Sequence, residues 1–283
     1  MLLFINGDII PEDNAHIHLK DRGLLLGDGI FETCKAEHGY ILFFKEHYDR
    51  LKHSSEFLSI PLPYSQEQLF DICKNLLKSN VLKNDSAAIR ITLTRGEGLR
   101  GINFPDKPKP TLFVTTAKYA VPTNYHPTAL VTSIKRNPQS PIISHKTLNY
   151  LEPILARAEA QSKGYDEGIM INIDGFIAES SIANIFFITG NQVITPDLGS
   201  GILPGITRKL VIQLCQRNNI QIVEKKISFS DALAAEEAFQ TNSLIGIQLL
   251  SAINDKKLSV ETSSIFKTIT DLYNAAIQKW HKS

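Results

Sequence analysis

Three features between residues 144 and 208 have side chains suited to one kind of chemistry. Lys146 stands just ahead of a helical stretch, Glu179 ends a strand in DGFIAES, and Gly205-Ile206-Thr207 opens a helix. A lysine buried near other positive charge gives up its proton more readily and becomes an amine nucleophile. A carboxylate facing a ring nitrogen keeps that nitrogen protonated, and a helix start offers unpaired N–H groups to a phosphate. Each feature also has an ordinary reading taken singly. Most lysines are solvated, a glutamate at a strand end is usually exposed, and Thr207 suits an N-cap.

Together the three meet the requirements of pyridoxal phosphate chemistry: an amine for the aldehyde, an acid for the pyridine nitrogen and a helix start for the phosphate. Other motifs compete poorly. Gly96-Glu97-Gly98-Leu99-Arg100-Gly101 has the spacing of a dinucleotide fingerprint, but INFPDKPKP follows it and cannot open the helix which that motif requires. The alternative is a loop whose Arg95 and Arg100 could clamp a carboxylate. The eight histidines include no HExxH, and no GK[ST] loop or GxSxG elbow is present. No metal site is expected.

The elements that must position these residues follow from the pattern of the chain. Its 283 residues suffice for two domains, and 43% apolar with 21% charged residues is the make-up of a globular protein. Lys+Arg 30 against Asp+Glu 29 gives no electrostatic case for nucleic acid or an anionic membrane. No run approaches the ~20 apolar residues of a membrane span. Three scattered cysteines and a start without a basic leader point to the cytoplasm. Asn6-Gly7 predicts a hairpin between short strands. Helices are expected over 45–58 and from Ser65, where Gln68 completes a capping box ahead of the stripe Leu69, Ile72, Cys73, Leu76 and Leu77. Strands are expected over 88–94 and 111–117. KYAVPTNYHP reads as a linker, so the domains are expected at 1–117 and 128–283 with 118–127 between them. In the second part a strand near 129–134 precedes a helix running from Lys146 to Gly164, with Pro153 kinking it or delaying its start. Strands then follow at 168–173, 176–178, 184–188 and 193–194, and the helix at Gly205 is expected to bury Leu210, Val211, Leu214 and Cys215. The pattern is α+β with much antiparallel strand.

The pieces DRGLLLGDGIFET, FFKEHYDRL, RGEGLRG, HKTLNYLEPILARAEA, DEGIMINIDGFIAESSIANIFF, ITPDLGSGILPGITR and EEAFQTNSLIG make nearly the whole chain resemble the class IV (fold type IV) pyridoxal-phosphate enzymes. That family holds branched-chain aminotransferases, D-amino-acid aminotransferases and 4-amino-4-deoxychorismate lyases. The resemblance implies a two-domain fold, with a small N-terminal α/β domain and a larger C-terminal domain with a barrel-like sheet. It also implies a homodimer. Lys146 matches the Schiff-base lysine, Glu179 the carboxylate on the pyridine nitrogen, and Arg50 the phosphate-binding arginine. Ile206 and Thr207 match the helix-start phosphate contacts, with Ser243 and the backbone of Asn242 on the other side. Tyr150 lies near where some members place a tyrosine by the ring hydroxyl.

Subfamily signals are mixed. Phe31 stands where D-amino-acid aminotransferases carry tyrosine, and Leu99-Arg100-Gly101-Ile102 keeps only the arginine of their carboxylate trap. Ala88-Ile89-Arg90-Ile91 keeps the arginine of the branched-chain YIRP stretch but not its tyrosine. RGEGLRG, HKTLNYLE, ESSIANIF and TNSLIG are most similar to the aminodeoxychorismate lyases, although Gln248-Leu249-Leu250 replaces their usual Pro-Val continuation. The resemblance therefore implies a lyase forming 4-aminobenzoate and pyruvate, with a class IV aminotransferase for branched-chain or D-amino acids as the alternative. Either reaction takes a small amine bearing a carboxylate, for which Phe31, Arg90, Arg95 and Arg100 are the candidate contacts.

Overall fold

The computed structural model describes residues 1–120, 124–261 and 263–280. Of the segment expected to be the linker, positions 121–123 lie outside the described residues. The chain divides into two compact units, Met1–Val121 with His145–Asn149, and Pro122–Ser144 with Tyr150–Ser283. The short segment containing Lys146 thus belongs with the first unit, although it follows residue 128.

The first unit contains β1 (Leu2–Ile5), β2 (Asp8–Pro11), α1 (Arg22–Leu26), β3 (Gly29–Glu37), β4 (Tyr40–Ile41), α2 (Phe44–Phe57), α3 (Gln66–Ser79), β5 (Ser86–Thr94) and β6 (Thr111–Lys118). Its sheet runs β2-β1-β6-β5-β3-β4, with every pair antiparallel. The hairpin turns at Asn6 and Gly7, both at positive φ. Ser65 and Gln68 form the capping box of α3, and Leu69, Cys73, Leu76 and Leu77 are buried beneath it. Burying each leucine contributes about 1.5–3 kcal/mol, against about 1 kcal/mol for a cap. Packing therefore holds α3, and the cap sets where it begins.

Alternation along the strands sorts the functional side chains. Ile30, Cys34 and Ala36 of β3, and Ala87, Ile89, Ile91 and Leu93 of β5, enter the core shared with α2 and α3. Period two then places Glu32 on that core face, and Phe31, Arg90 and Thr92 on the other.

The second unit contains β7 (Thr128–Arg136), α4 (Leu151–Ser162), β8 (Glu167–Asn172), β9 (Ile177–Ser180), β10 (Asn184–Thr189), β11 (Gln192–Pro196), α5 (Ile206–Arg217), β12 (Gln221–Lys225), α6 (Phe229–Ala234), β13 (Glu237–Asn242), β14 (Gly246–Leu249), β15 (Ala252–Ile253), β16 (Lys256–Lys257) and α7 (Ser264–Trp280). Two five-stranded sheets run β12-β11-β10-β13-β14 and β16-β15-β7-β8-β9. The pairs β7–β8, β7–β15 and β11–β12 are parallel. β10 is apolar on both faces because both are covered. Ile185 and Phe187 share a core with Ile169 and Ile177 of the other sheet, while Phe186 and Ile188 pack with Val211 of α5 and Ile269 of α7. On α5, Val211, Ile212, Leu214 and Cys215 are buried, whereas Leu210 is only half-buried.

The helix expected directly after Lys146 begins at Leu151 instead. Thr147 is taken up by an isolated bridge to Ile30 of β3, and Leu148 N by a bond to Gly29 O, so neither is free to start the helix. Pro153 then falls in the first turn, where no intrahelical N–H is needed, so α4 runs from a delayed start. Among the described residues no helix is long and apolar enough to cross a membrane.

Candidate active site

In the first unit, the segment 145–149 lies beside the start of β3, joined to it by an isolated bridge between Thr147 and Ile30. Phe31 N donates to Lys146 O at 2.9 Å, and Leu148 N donates to Gly29 O at 2.9 Å. Asn149 Nδ2 adds a bond to Gly27 O at 3.1 Å. These bonds hold the Lys146 backbone in register with Phe31. The Lys146 Nζ lies 4.5 Å from the centre of the Phe31 ring, and the Arg90 guanidinium carbon lies 3.8 Å from the same centre. One apolar ring thus carries an amine and a guanidinium, a contact aromatic faces favour.

Arg50 reaches from α2 to β3. Its Nε donates to Glu32 Oε1 at 2.6 Å and its Nη2 to Glu32 Oε2 at 2.8 Å. His47, one turn earlier on α2, places Nδ1 2.7 Å from Glu32 Oε2. Burial pushes the Glu32 carboxyl up, but Arg50, with help from His47, outweighs burial and holds it well below the usual carboxylate range. Burial pushes His47 down. Glu32 opposes that shift, while Arg50 and Lys146 add to it.

The two remaining arginines are placed differently. Arg95, expected among the substrate contacts, is a structural clamp that is 2% exposed. Its Nε and Nη2 donate to Asp28 at 2.8 and 3.0 Å, and its nitrogens also reach Ser59 O and Leu58 O, both at 2.8 Å. Those bonds leave the guanidinium no turn toward a substrate. Arg100 is exposed on the loop that follows β5. The glycine motif of that loop has a packing origin. Gly96 has φ +79°, and a Cβ there would lie 1.7 Å from Lys109 O. No helix follows the motif.

In the second unit, Glu179 sits near the end of β9 and is buried. Its Oε2 accepts from Asn184 Nδ2 at 2.9 Å and from Leu203 N at 3.1 Å, and its Oε1 lies 3.2 Å from Arg136 Nη1. Three donors thus hold a carboxylate in one orientation. Asn184 Nδ2 also donates to Leu203 O at 2.9 Å, tying β10 and Glu179 to the turn before α5. Ile206 and Thr207 begin α5, whose N-cap, Gly205, supplies no side-chain bond. Asn242 Oδ1 accepts from Leu244 N at 2.9 Å and Ile245 N at 2.8 Å, so its side chain closes a turn and what it can offer a ligand is main chain. Ser243 is half-buried in that turn, and Tyr150 occupies the N-cap position of α4. Two buried hydroxyls, Ser180 Oγ and Thr241 Oγ1, have no hydrogen-bond partner among the described residues.

The structure therefore brings Lys146, Phe31 and Arg90 together in one unit, with Arg50 on Glu32 and His47. In the other unit it brings Glu179 together with the start of α5. Glu32, His47, Arg136 and Asn184 were not singled out from the sequence. A readable signal existed for Glu32, a charged residue at an alternate position shared with the apolar Ile30, Cys34 and Ala36 of GIFETCKA. Asn184 lies five residues beyond Glu179 within the same motif piece, but Arg136 carries no comparable local signal.

An α+β chain with these sheets and a lysine and carboxylate so held has the fold type IV architecture. The solved branched-chain aminotransferase of Thermoproteus uzoniensis, determined with norvaline, matches with TM-score 0.90 and 26% identity over 97% of this chain and 93% of that one. The model of amino-transferase class IV matches residues 29–253, and the chain belongs to that family, whose members depend on pyridoxal phosphate. A Methanocaldococcus jannaschii protein assigned as a branched-chain-amino-acid aminotransferase is 32% identical over 99% of this chain and 98% of its own length. The aminodeoxychorismate lyase of Bacillus subtilis is 28% identical over 98% of this chain and 96% of its own.

Proposed function

We propose that the chain is a pyridoxal-phosphate-dependent aminotransferase for a branched-chain or similarly apolar amino acid, with Lys146 as its catalytic residue. The observation that carries this reading is the Phe31 ring with Lys146 and Arg90 upon it. A proton-moving amine, a carboxylate-binding guanidinium and an apolar surface coincide there. The 32% identity to the Methanocaldococcus jannaschii protein favours transamination over the lyase reaction that several motifs had pointed to.

The donor set fits the cofactor. Glu179 is a fixed carboxylate suited to a protonated pyridine nitrogen. The uncapped start of α5 suits a phosphate, and the unpartnered hydroxyls of Ser180 and Thr241 are polar groups a ligand would satisfy. Bound pyridoxal phosphate supplies an aldehyde that takes up the amino group and a ring that accepts the electrons left when a proton departs from the neighbouring carbon. In this reading Lys146 Nζ is the amine that would hold the aldehyde at rest and move the proton at the substrate α-carbon. Glu179 keeps the ring nitrogen protonated. Arg50, the N–H groups of Ile206 and Thr207, and the Asn242–Ser243 turn would hold the phosphate. Tyr150 would be the contact to the ring hydroxyl. Arg90 holds the substrate carboxylate over Phe31, which has no hydroxyl to attract a polar side chain. The active form is a homodimer.

The 28% identity to the Bacillus subtilis lyase supports a second reading, in which the same Lys146 proton transfer aromatises aminodeoxychorismate and releases pyruvate. One half-reaction assay separates the two. With leucine or valine alone, the enzyme should convert its cofactor spectrum to that of the pyridoxamine form, and a keto acid should reverse the change. No conversion with any amino acid, together with pyruvate release from aminodeoxychorismate, would replace the transaminase reading with the lyase one. Lys146→Ala should lower either turnover by at least about a thousandfold.

A further inference from the structure

Glu32 is 1% exposed on the core face of β3, between Ile30 and Cys34. An ionised carboxylate there is costly unless it is paired. It is paired twice, by the Nε and Nη2 edge of Arg50 and by His47 Nδ1, which is itself 1% exposed. α2 and β3 would pack more cheaply around an apolar residue at 32.

We propose that Glu32 and His47 are positioning residues for the phosphate monoester of the cofactor, acting through Arg50. The inference rests on the assignment of Arg50 to that phosphate. The fork of bonds from Glu32 fixes the plane of the guanidinium, and His47 fixes Glu32 in turn. The cation meeting the phosphate is therefore already ordered, and binding loses less side-chain freedom.

The alternative role for Glu32, simple neutralisation of Arg50, predicts the opposite effect. Removing its charge would then strengthen the hold on a dianion. Positioning predicts that removal weakens it.

The test uses the full-length chain stripped of bound cofactor and titrated by absorbance with pyridoxal phosphate and with pyridoxal, which lacks the phosphate. The readout is the ratio of the two Kd values. Arg50→Met should collapse the wild-type preference for the phosphate ester. Glu32→Gln should cut that preference about tenfold while leaving the pyridoxal Kd within about twofold. His47→Asn should act in the same direction with smaller effect, and Glu32→Asp should restore part of the preference. Glu32→Asp and His47→Asn carry the test if Glu32→Gln does not fold. An unchanged or increased preference in the Glu32 and His47 variants, with Arg50→Met collapsed, overturns the positioning role and leaves Arg50 on the phosphate. Equal weakening of both ligands by Glu32→Gln assigns it to stability alone and also overturns the proposal. No effect of Arg50→Met overturns the Arg50 assignment itself.

Discussion

Lys146 is preceded by His145, a buried histidine whose Nδ1 lies 3.0 Å from Ser54 Oγ. Its ring stacks at 4.2 Å on Phe57 and at 5.6 Å on His53. Burial first, and His53 second, push His145 below the ordinary histidine range, and burial does the same to His47. For both groups the folded value lies below the unfolded one. The unfolded chain therefore binds more protons as the pH drops through about 6.5, and stability is lost in that direction. Glu32 does not contribute in this window, because its carboxyl is held ionised to far lower pH and its stabilisation is lost only there. The expected outcome is a urea midpoint that is flat above about pH 7.5 and falls toward pH 5.5. His145→Gln should lower the midpoint at pH 7.5 by the equivalent of about 1 kcal/mol, through loss of the Ser54 bond and the ring contacts. It should also make the fall with acid shallower. A fall of undiminished steepness in that variant would remove His145 as a source.

At the scale of elements, the start of α5 abuts Asn184 so closely that only glycine fits at 205. A Cβ on Gly205 would lie 2.0 Å from Asn184 Oδ1. The backbone there is ordinary, with φ −70°, so the constraint is space and not conformation. Gly205→Ala must therefore move Asn184, whose Nδ2 serves both Glu179 and Leu203. We expect a destabilisation of about 1–3 kcal/mol, accompanied by weaker pyridoxal phosphate binding because Glu179 loses one of its three donors. Thermal denaturation and a cofactor titration check the two parts, and an unchanged cofactor Kd would uncouple Asn184 from the site. Much at this scale was legible in the chain. The Ser65–Gln68 box placed α3, Asn6-Gly7 placed a hairpin, and GIT placed α5, because caps and tight turns are local. The late start of α4 was legible as one of the two outcomes of Pro153, but the bonds of Thr147 and Leu148 to β3, more than a hundred residues away in sequence, were not. The parallel pairs β7–β8 and β11–β12 likewise have no local signal. Arg95 resembled a substrate ligand for the same reason. The bond that buries it goes to Asp28, and nothing near RGEGLRG reveals that partner.

At the scale of the molecule, the first unit keeps a set of large apolar side chains in solvent. Leu24 and Leu25 on α1 are 62% and 61% exposed, and Leu99, Ile102 and Phe104 on the loop after β5 are 92%, 82% and 61% exposed. These are held in place, not frayed. Arg22 of α1 donates through Nη1 to Gly101 O and Asn103 O, and through Nη2 to Ile102 O, at 3.2 Å each. Its Nε is anchored on Asp28 at 2.7 Å, the same carboxylate that holds Arg95. Two arginines on one aspartate thus order a helix and a loop whose leucines and isoleucine face water in the isolated chain. Ordered apolar surface is of the kind that protein–protein contacts cover, and a formal net charge of +1 opposes self-association very little. The homodimer proposed above would cover it. Sedimentation of the wild type at micromolar concentration should give a dimer. Leu25→Glu with Ile102→Glu should give a monomer with an unchanged circular dichroism spectrum, since exposed positions contribute within about 0.5 kcal/mol to the fold of one chain. A monomeric wild type, or a doubly substituted chain that still sediments as a dimer, would mean that these side chains serve something other than a second copy.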